Sequence, residues 1–265
     1  MRAVPAQLNK ELTNSPTNAT IVVLVGFFMS NIFLFDIDGT LTEPRQAMTP
    51  AFESWFYNWM QGKKVYFVTG SDLKKVNEQL SERIIKSAAG IFCSMANEFY
   101  INEELQYSNK LDIPQEAISF LRAQLYQSSY SPKRNNNFEY RTGMLNFSIA
   151  GRDSTVEERE KYYIYDLKNK ERKNIAEFIN KNYGNKLEAR IGGQISIDIQ
   201  NKGNNKSQAS KWIRKNLGGQ ILFFGDKTKP NGNDYDVVKD IIDNGDGMVY
   251  DIENPQQLKL ILESK

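Results

Sequence analysis

The chain has 265 residues, of which 40% are hydrophobic and 12% aromatic, so it can bury a sizeable core and is not a disordered protein. Its 34 Lys and Arg residues nearly balance 32 Asp and Glu, and a formal charge of +2 gives no indication of a nucleic-acid partner. The chain has no histidine and one cysteine, Cys93. Histidine-based catalysis, His-ligated zinc and intrachain disulfides are therefore excluded. Any chemistry must come from carboxylates, lysine, arginine, hydroxyls and bound metal.

The most apolar run lies near the N-terminus, at residues 21–29, and continues after a polar break into residues 32–35. Even without the break, it would be shorter than the roughly 20 residues that span a bilayer. No basic cluster precedes it, and no small-residue cleavage site follows it. We therefore expect a soluble, cytoplasmic protein with no membrane partner, in which residues 1–28 are an extension outside the fold. A membrane or export role remains the alternative.

The first part of the chain alternates between short apolar runs and helix-like segments. The predicted elements are, in order, a strand at 31–36, a helix at 49–60, a strand at 65–69, a helix at 71–80 and a strand at 91–93. Strands that alternate with helices at this spacing are typical of a parallel α/β sheet. The turn signal Asp38-Gly39 follows the first of these strands closely.

The pattern changes to α+β between about residues 111 and 194. It predicts a helix at 115–126, strands at 138–141 and 144–150, a charged helical stretch at 155–182, and strands at 187–190 and 194–199. The α/β alternation then resumes, with helices at 207–215, 235–243 and 255–263 and strands at 221–225 and 248–250. We therefore expect a doubly wound parallel sheet core (29–110 and 196–265) interrupted by an inserted α+β cap domain (111–195).

Two aspartates follow the first strand in the sequence DIDGT, residues 36–40. Open α/β sheets place their sites at the carboxyl ends of strands, so Asp36 and Asp38 can reach one reaction centre. The first carboxylate can attack phosphorus, while the second moves protons on the entering or leaving oxygen. A simple turn with side-chain capping is the alternative interpretation. DIDGTLT resembles the nucleophile motif of the haloacid dehalogenase (HAD) superfamily, which implies a HAD-like fold.

Other segments resemble the remaining HAD motifs in chain order. Thr69, Gly70 and Ser71 end the second strand in hydroxyl and N–H groups suited to a phosphoryl oxygen, although Ser71 is equally compatible with a plain helix cap. Lys206 resembles the family's phosphate-neutralising lysine, with Lys202 as the local alternative. Two segments resemble the family's acidic metal loop, FFGD at 223–226 and GND at 232–234. Their carboxylates suit Mg²⁺, and the resemblance implies a metal set of Asp36, Asp38, Asp226, Asp234 and, more weakly, Asp240.

The resemblance extends to one family within the superfamily. From about residue 31 onward the chain resembles the eukaryotic-type phosphomannomutases, which isomerise mannose 6-phosphate and mannose 1-phosphate. The segments that carry this resemblance are DIDGTLTEPRQ (36–46), GSDLKKVNEQL (70–80), FEYRTGMLN (138–146), AGRDSTVEER (150–159), IGGQISIDI (191–199) and FFGDKTKPNGND (223–234). Several of them lie in the predicted cap, the part that differs most between HAD families.

The resemblance also implies a substrate site. A hexose phosphate needs a cationic pocket for the phosphate that lies away from the metal, and arginine supplies paired donors for it. The implied ligands are Arg45, Arg141, Arg152 and Arg159, with Ser196 and Asp198 as further substrate contacts. Alternation places Ser196 and Asp198 on one face of a strand. We interpret Arg134 and Arg190 as solvated positions.

One stretch departs from the family pattern. The family has Glu-Asn-Gly after its third core strand, whereas this chain has Ala96-Asn97-Glu98. The resemblance implies a Mg²⁺-dependent mutase that uses an aspartyl-phosphate at Asp36, Asp38 as general acid and base, and a hexose 1,6-bisphosphate activator. It also implies a homodimer formed through the cap. A HAD-type sugar-phosphate phosphatase with a leakier cap is the main alternative, and a non-catalytic sugar-phosphate binder is a third.

Overall fold

The structure is a computed structural model that describes residues 30–230 and 232–264, so the predicted extension at 1–28 lies outside the described residues. Within them the chain forms a seven-stranded sheet and a four-stranded sheet. The described helices include none that is both long and apolar enough to cross a bilayer.

The seven-stranded core sheet has the order β11-β10-β1-β2-β3-β4-β5. Its strands are β1 (Asn31–Asp36), β2 (Lys64–Val68), β3 (Gly90–Cys93), β4 (Glu98–Ile101), β5 (Glu104–Ser108), β10 (Gln220–Gly225) and β11 (Gly247–Asp251). β11, β10, β1, β2 and β3 pair in parallel, whereas β4 and β5 are added in antiparallel orientation. β1 lies inside the sheet, which places Asp36 at its carboxyl edge, as predicted.

Helices cover both faces of this sheet because the side chains of β1 alternate between two apolar layers. Phe33 and Phe35 pack on one side, and Ile32 and Leu34 on the other. The first layer includes α1 (Pro50–Met60), α2 (Leu73–Gln79), α3 (Glu82–Ser87) and α9 (Pro255–Glu263). The second includes α7 (Ser207–Asn216) and α8 (Tyr235–Asn244). Burial on both faces explains why the parallel strands are continuously apolar.

The cap is an antiparallel sheet with helices packed on it. Its strands, in the order β6-β7-β9-β8, are β6 (Phe138–Arg141), β7 (Met144–Phe147), β9 (Ser196–Asn201) and β8 (Leu187–Gly192). Its helices are α4 (Gln115–Gln127), α5 (Val156–Asn169) and α6 (Glu171–Tyr183). Leu145 and Phe147 of β7 pack in the apolar layer that includes these helices. Glu139 and Arg141 alternate with the apolar positions of the hairpin, on a polar face.

Two predicted boundaries in the cap need correction. We predicted that the cap ends at residue 195, but the next six residues form β9, which pairs with both β7 and β8. Since β9 lies between these strands, the cap sheet extends to Asn201. The single helical stretch predicted at 155–182 is two helices, because Lys170 adopts a left-handed conformation with φ 54° between them.

Candidate active site

Asp36 lies at the end of β1, in a buried ion-pair cluster. Its Oδ1 lies 2.5 Å from Lys206 Nζ, and the same nitrogen donates to Asp234 Oδ1 at 2.7 Å. Both Lys206 and Asp234 are fully buried. Thr40 Oγ1 donates to the other oxygen of Asp36 at 3.2 Å. The structure therefore brings the predicted nucleophile and the predicted lysine into direct contact, although 170 positions separate them in the sequence.

A third carboxylate, Asp226, completes an acidic group at the end of β10. One oxygen from each of Asp36, Asp226 and Asp234 lies within 4.8 Å of the others, which suits a single cation. Asp226 Oδ1 and Asn233 Oδ1 are buried and accept no hydrogen bond from the described protein groups. Buried oxygens without donors are costly unless a cation or water meets them. The donor set is all oxygen, so these residues fit Mg²⁺.

The electrostatics of the cluster follow from its burial. Desolvation raises the pKa of Asp36 to about 7, although the nearby Lys206 ammonium opposes the shift. Burial would lower the pKa of Lys206, but Asp36 and Asp234 outweigh it, so that pKa is raised and the ammonium stays charged. Burial also raises the pKa of Asp226. The cluster has more carboxylates than the one lysine can neutralise, and a divalent ion would restore the balance.

Asp38 is held outside this acidic group. Its Oδ1 accepts from the backbone N–H of Arg45 at 2.8 Å and from Gln79 Nε2 at 2.9 Å. A non-titrating amide and a backbone N–H therefore fix the carboxylate next to the nucleophile loop. Because its side chain is not in the three-carboxylate group, the structure does not support Asp38 as a side-chain metal ligand.

Gly39, directly after Asp38, is required by the close approach of Asp226 in the metal loop. Its φ of +89° favours glycine, and a Cβ there would lie 2.4 Å from Asp226 Oδ2.

The predicted phosphate loop is held by a bond of its own: Thr69 Oγ1 accepts from Ser71 N at 3.0 Å. Asp72, rather than Ser71, caps α2 through a bond from Lys75 N, so the alternative that Ser71 is a plain cap is wrong.

Two adjoining cavities of about 600 and 640 Å³ join the cluster to the cap, and both are lined by Gly70, Ser71 and Lys75. The first also reaches Asp36, Asp38, Arg45 and Thr69. The second is bounded on the cap side by Glu139 to Thr142 and by Met144. Asp36, Asp38 and the cap hairpin therefore face one continuous cleft.

The predicted cap arginines differ in their surroundings. Arg141 lines the cleft, and its guanidinium pairs with Glu139 at 2.7 Å. Arg152 reaches the same carboxylate at 3.0 Å, so Glu139 holds two predicted phosphate ligands side by side. Arg159 instead donates to the carbonyls of Arg152 and Ser154 at 2.7 and 3.0 Å. In this structure it supports the loop that carries Arg152.

Three other predicted positions are not brought to the acidic cluster. Ser196 is buried and donates to Gly192 O at 2.9 Å, and Asp198 accepts from Asn146 Nδ2 at 2.5 Å. Asp240 lies on α8, where its carboxylate accepts from Ser210 Oγ and Arg214 Nη2 at 2.6 and 2.8 Å. That carboxylate joins α8 to α7 and is not in the three-carboxylate group, so its prediction as a metal ligand is corrected.

Sequence reasoning missed Gln79 and Glu139 as parts of the site. Both lie within segments that carry the family resemblance, GSDLKKVNEQL and FEYRTGMLN. Their spacing offers a weak signal: Glu139 and Arg141 are two apart on one strand, so they share a face. Arg190, interpreted as solvated, contacts Asp236 of the core.

A parallel core sheet with DIDGT after its interior strand and a cap inserted after β5 defines a HAD-type fold. Solved structures share this fold. The C-terminal domain of trehalose-6-phosphate phosphatase from C. albicans matches with TM-score 0.57 and 14% identity, over 89% of this chain and 91% of that one. The N-terminally truncated, IMP-bound IMP-nucleotidase of Plasmodium falciparum matches with TM-score 0.55 and 17% identity, over 89% and 68%.

Residues 52–264 match the family model for eukaryotic phosphomannomutase. A phosphomannomutase from Drosophila melanogaster is 34% identical over 236 residues, covering 79% of this chain and 86% of the relative. One from Encephalitozoon cuniculi is 34% identical over 213 residues, covering 78% and 83%. The chain therefore belongs to the eukaryotic phosphomannomutase family, and the family predicted from its motifs is confirmed.

Proposed function

We propose that this chain is an isomerase that interconverts mannose 6-phosphate and mannose 1-phosphate through an aspartyl-phosphate and a hexose bisphosphate. Its family and relatives support the reaction. The observation that carries the assignment of Asp36 is its contact with the fully buried Lys206, at the wall of a cleft large enough for a hexose phosphate.

The proposed chemistry uses the two aspartates of DIDGT in different roles. A carboxylate oxygen of Asp36 attacks phosphorus of the bisphosphate, the bond from phosphorus to the sugar oxygen breaks, and Asp38 protonates that oxygen. A substrate monophosphate then binds with its free hydroxyl toward Asp36. This hydroxyl attacks the aspartyl phosphorus, Asp38 takes the hydroxyl proton, and the bond to Asp36 breaks. The new bisphosphate turns round in the cleft before its other phosphoryl group is transferred to Asp36.

Lys206 would neutralise charge on the transferred group, together with a cation that Asp36, Asp226 and Asp234 would hold. A bound Mg²⁺ would supply neutralising charge beside the phosphoryl oxygens. Lys206 Nζ remains within 2.7 Å of both Asp36 and Asp234, so its charge is fixed where negative charge accumulates. Thr69, Gly70 and Ser71 would donate to the phosphoryl oxygens from the opposite wall.

The cap would hold the phosphate that is not reacting. Arg141 and Arg152 are fixed by the same Glu139 carboxylate, and Arg45 lines the core side of the cleft. Closure of the cap would exclude water from the aspartyl-phosphate, which separates a mutase from a phosphatase. Ser196 and Asp198 would contact the sugar only after Ser196 exchanges its bond to Gly192.

We also propose a cytoplasmic homodimer formed through the cap. In support, the cap helix α5 exposes large apolar side chains: Val156 is 81% exposed, Ile164 59% and Leu167 60%. Apolar side chains clustered on one exposed helix favour contact with a second protein surface. We expect this second surface to belong to another copy of this chain.

The proposed reaction is tested by dependence on bisphosphate. With Mg²⁺ and a catalytic amount of hexose 1,6-bisphosphate, we expect mannose 1-phosphate to be converted to mannose 6-phosphate, and little conversion without the bisphosphate. Parallel assays with glucose 1-phosphate measure the preference between epimers. Release of inorganic phosphate equal to the substrate consumed would instead establish the phosphatase, and no turnover of either sugar phosphate would contradict the proposed reaction.

Arg141→Met should weaken substrate binding and leave the fold unchanged. Loss of a charge-assisted bond to phosphate predicts a fall in kcat/KM of roughly 10- to 100-fold, mainly through KM. The matched control is Arg134→Met, since Arg134 pairs with Glu158 rather than lining the cleft. Steady-state kinetics would contradict the assignment if both variants lost activity equally.

A further inference from the structure

Two contacts join the cap to the core at opposite edges of the cap sheet. Just after β6, Thr142 Oγ1 donates to Glu98 Oε1 at 3.0 Å. On β8, both terminal nitrogens of Arg190 donate to Asp236 Oδ2 of α8 at 3.3 Å. β6 and β8 are the two outer strands of the four-stranded order. The cap is therefore tied down on both sides of its sheet.

Glu98 is held in place by a turn of unusual conformation. Ser94, Met95 and Ala96 all have left-handed backbone, with φ of 53°, 61° and 62°. Such conformations are costly for residues with a Cβ and persist where surrounding bonds enforce them. Ser94 N donates to Ser71 O at 2.8 Å, and Met95 N donates to Thr69 O at 2.9 Å. The turn before Glu98 is therefore bonded directly to the predicted phosphate loop.

The neighbouring Asn97 adds a steric fit to the same hairpin. A Cβ on Gly143 would lie 2.4 Å from Asn97 Cγ, so the hairpin turn sits directly against this side chain. Asn97 Oδ1 also accepts from Asn204 Nδ2 at 2.8 Å, on the segment that returns from the cap to the core. One short core segment thus contacts the phosphate loop, the cap hairpin and the return linker.

We propose that Glu98–Thr142 and Arg190–Asp236 form a two-point latch that holds the cap closed over the phosphorylated Asp36. Each contact stabilises the closed orientation of the cap, and because the two lie at opposite sheet edges, their contributions add. A closed cap excludes water, so the latch favours transfer of the phosphoryl group to a sugar over transfer to water. This inference rests on the proposed function for its kinetic consequence, but not for the two contacts between cap and core.

The Glu98 carboxylate belongs to this chain rather than to the family pattern. The family pattern that this chain resembles has glycine where this chain has Glu98, and glycine offers Thr142 no side-chain acceptor. In the structure, this departure from the family pattern therefore supplies a contact between the core and the cap. The latch therefore predicts that Glu98 helps to protect the phosphoryl group on Asp36 from transfer to water.

The test uses the full chain with paired variants. Glu98→Ala is matched by Glu104→Ala, an exposed glutamate on the adjacent β5. Asp236→Asn is matched by Asp243→Asn on the same helix, because Asp243 pairs with Lys239 and not with the cap. Two quantities are measured: the ratio of inorganic phosphate released to sugar phosphate isomerised, and the radius of gyration by small-angle X-ray scattering with Mg²⁺ and hexose 1,6-bisphosphate.

Each latch variant should raise the phosphate ratio by roughly twofold to fivefold, and the double variant by about the product, as expected for partly exposed polar pairs. The radius of gyration should rise with it, and both controls should match the parent. An unchanged radius in the double variant would overturn the latch, and a larger radius with an unchanged ratio would overturn its effect on partition. If the parent chain isomerises no sugar phosphate, the proposed function fails, and the scattering still decides whether these pairs close the cap.

Discussion

Asp36→Asn is expected to abolish isomerisation, with a loss in kcat of at least ~10⁴-fold, because a carboxamide cannot form the bond to phosphorus. The substitution keeps the size of the side chain and one oxygen that can accept from Lys206, while its NH2 group can donate to the hydroxyl of Thr40. We therefore expect a folded protein. The decisive measurement is transfer of labelled phosphate from a hexose bisphosphate to the protein, which should be absent in this variant.

Asp38→Asn is the matched control, since it lies two positions away on the same loop and contacts Gln79 rather than Lys206. It should slow turnover by roughly 10²- to 10⁴-fold through loss of proton transfer, while the protein still accepts label slowly at Asp36. If Asp36→Asn still turned over or still became labelled, Asp36 would not be the nucleophile. Equal labelling kinetics in both variants would remove the distinction between their roles.

The carboxyl edge of the core could be predicted from sequence because its parts are local. DIDGT follows a continuously apolar strand, and such a strand in an α/β pattern directs whatever follows it to the site. Lys206 could be chosen over Lys202 only by its resemblance to the family motif. The structure supports that choice physically, since Lys206 is fully buried between carboxylates whereas Lys202 is exposed.

The remaining contacts join residues that are far apart in the sequence, and the periodicity of helices and strands does not predict such pairs. Gln79 meets Asp38 across 41 positions, and Thr142 meets Glu98 across 44. The sequence shows that Asp240 is acidic, but it does not show which way the side chain points from α8. In the structure it points to α7, so its prediction as a metal ligand was wrong. The break at Lys170 has neither glycine nor proline to mark it. The predicted end of the cap was wrong because the sequence of β9 shows that it is a strand but not which strands it pairs with.

Lys206→Met is expected to have the second large effect, on both stability and activity. Its ammonium is the cation between Asp36 and Asp234, so its removal leaves buried carboxylates without their partner. Breaking a buried ion pair in this way costs roughly 3–5 kcal/mol of unfolding free energy. Loss of a fixed charge beside the transferred phosphoryl group should also lower kcat by roughly 10²- to 10³-fold. Urea denaturation without Mg²⁺ and steady-state kinetics measure the two effects separately.

Mg²⁺ should restore more stability to Lys206→Met than to the parent chain, because the acidic group then has no lysine to share its charge. The rise in Tm between metal-free and Mg²⁺-containing buffer should therefore be larger in the variant. The exposed Lys202→Met is the control, and its unfolding free energy should stay within about 0.5 kcal/mol of the parent value. If Lys202→Met lost activity and Lys206→Met kept it, the lysine would be misassigned. An equal Mg²⁺ response in all three proteins would show that Asp36, Asp226 and Asp234 do not hold the ion next to this lysine.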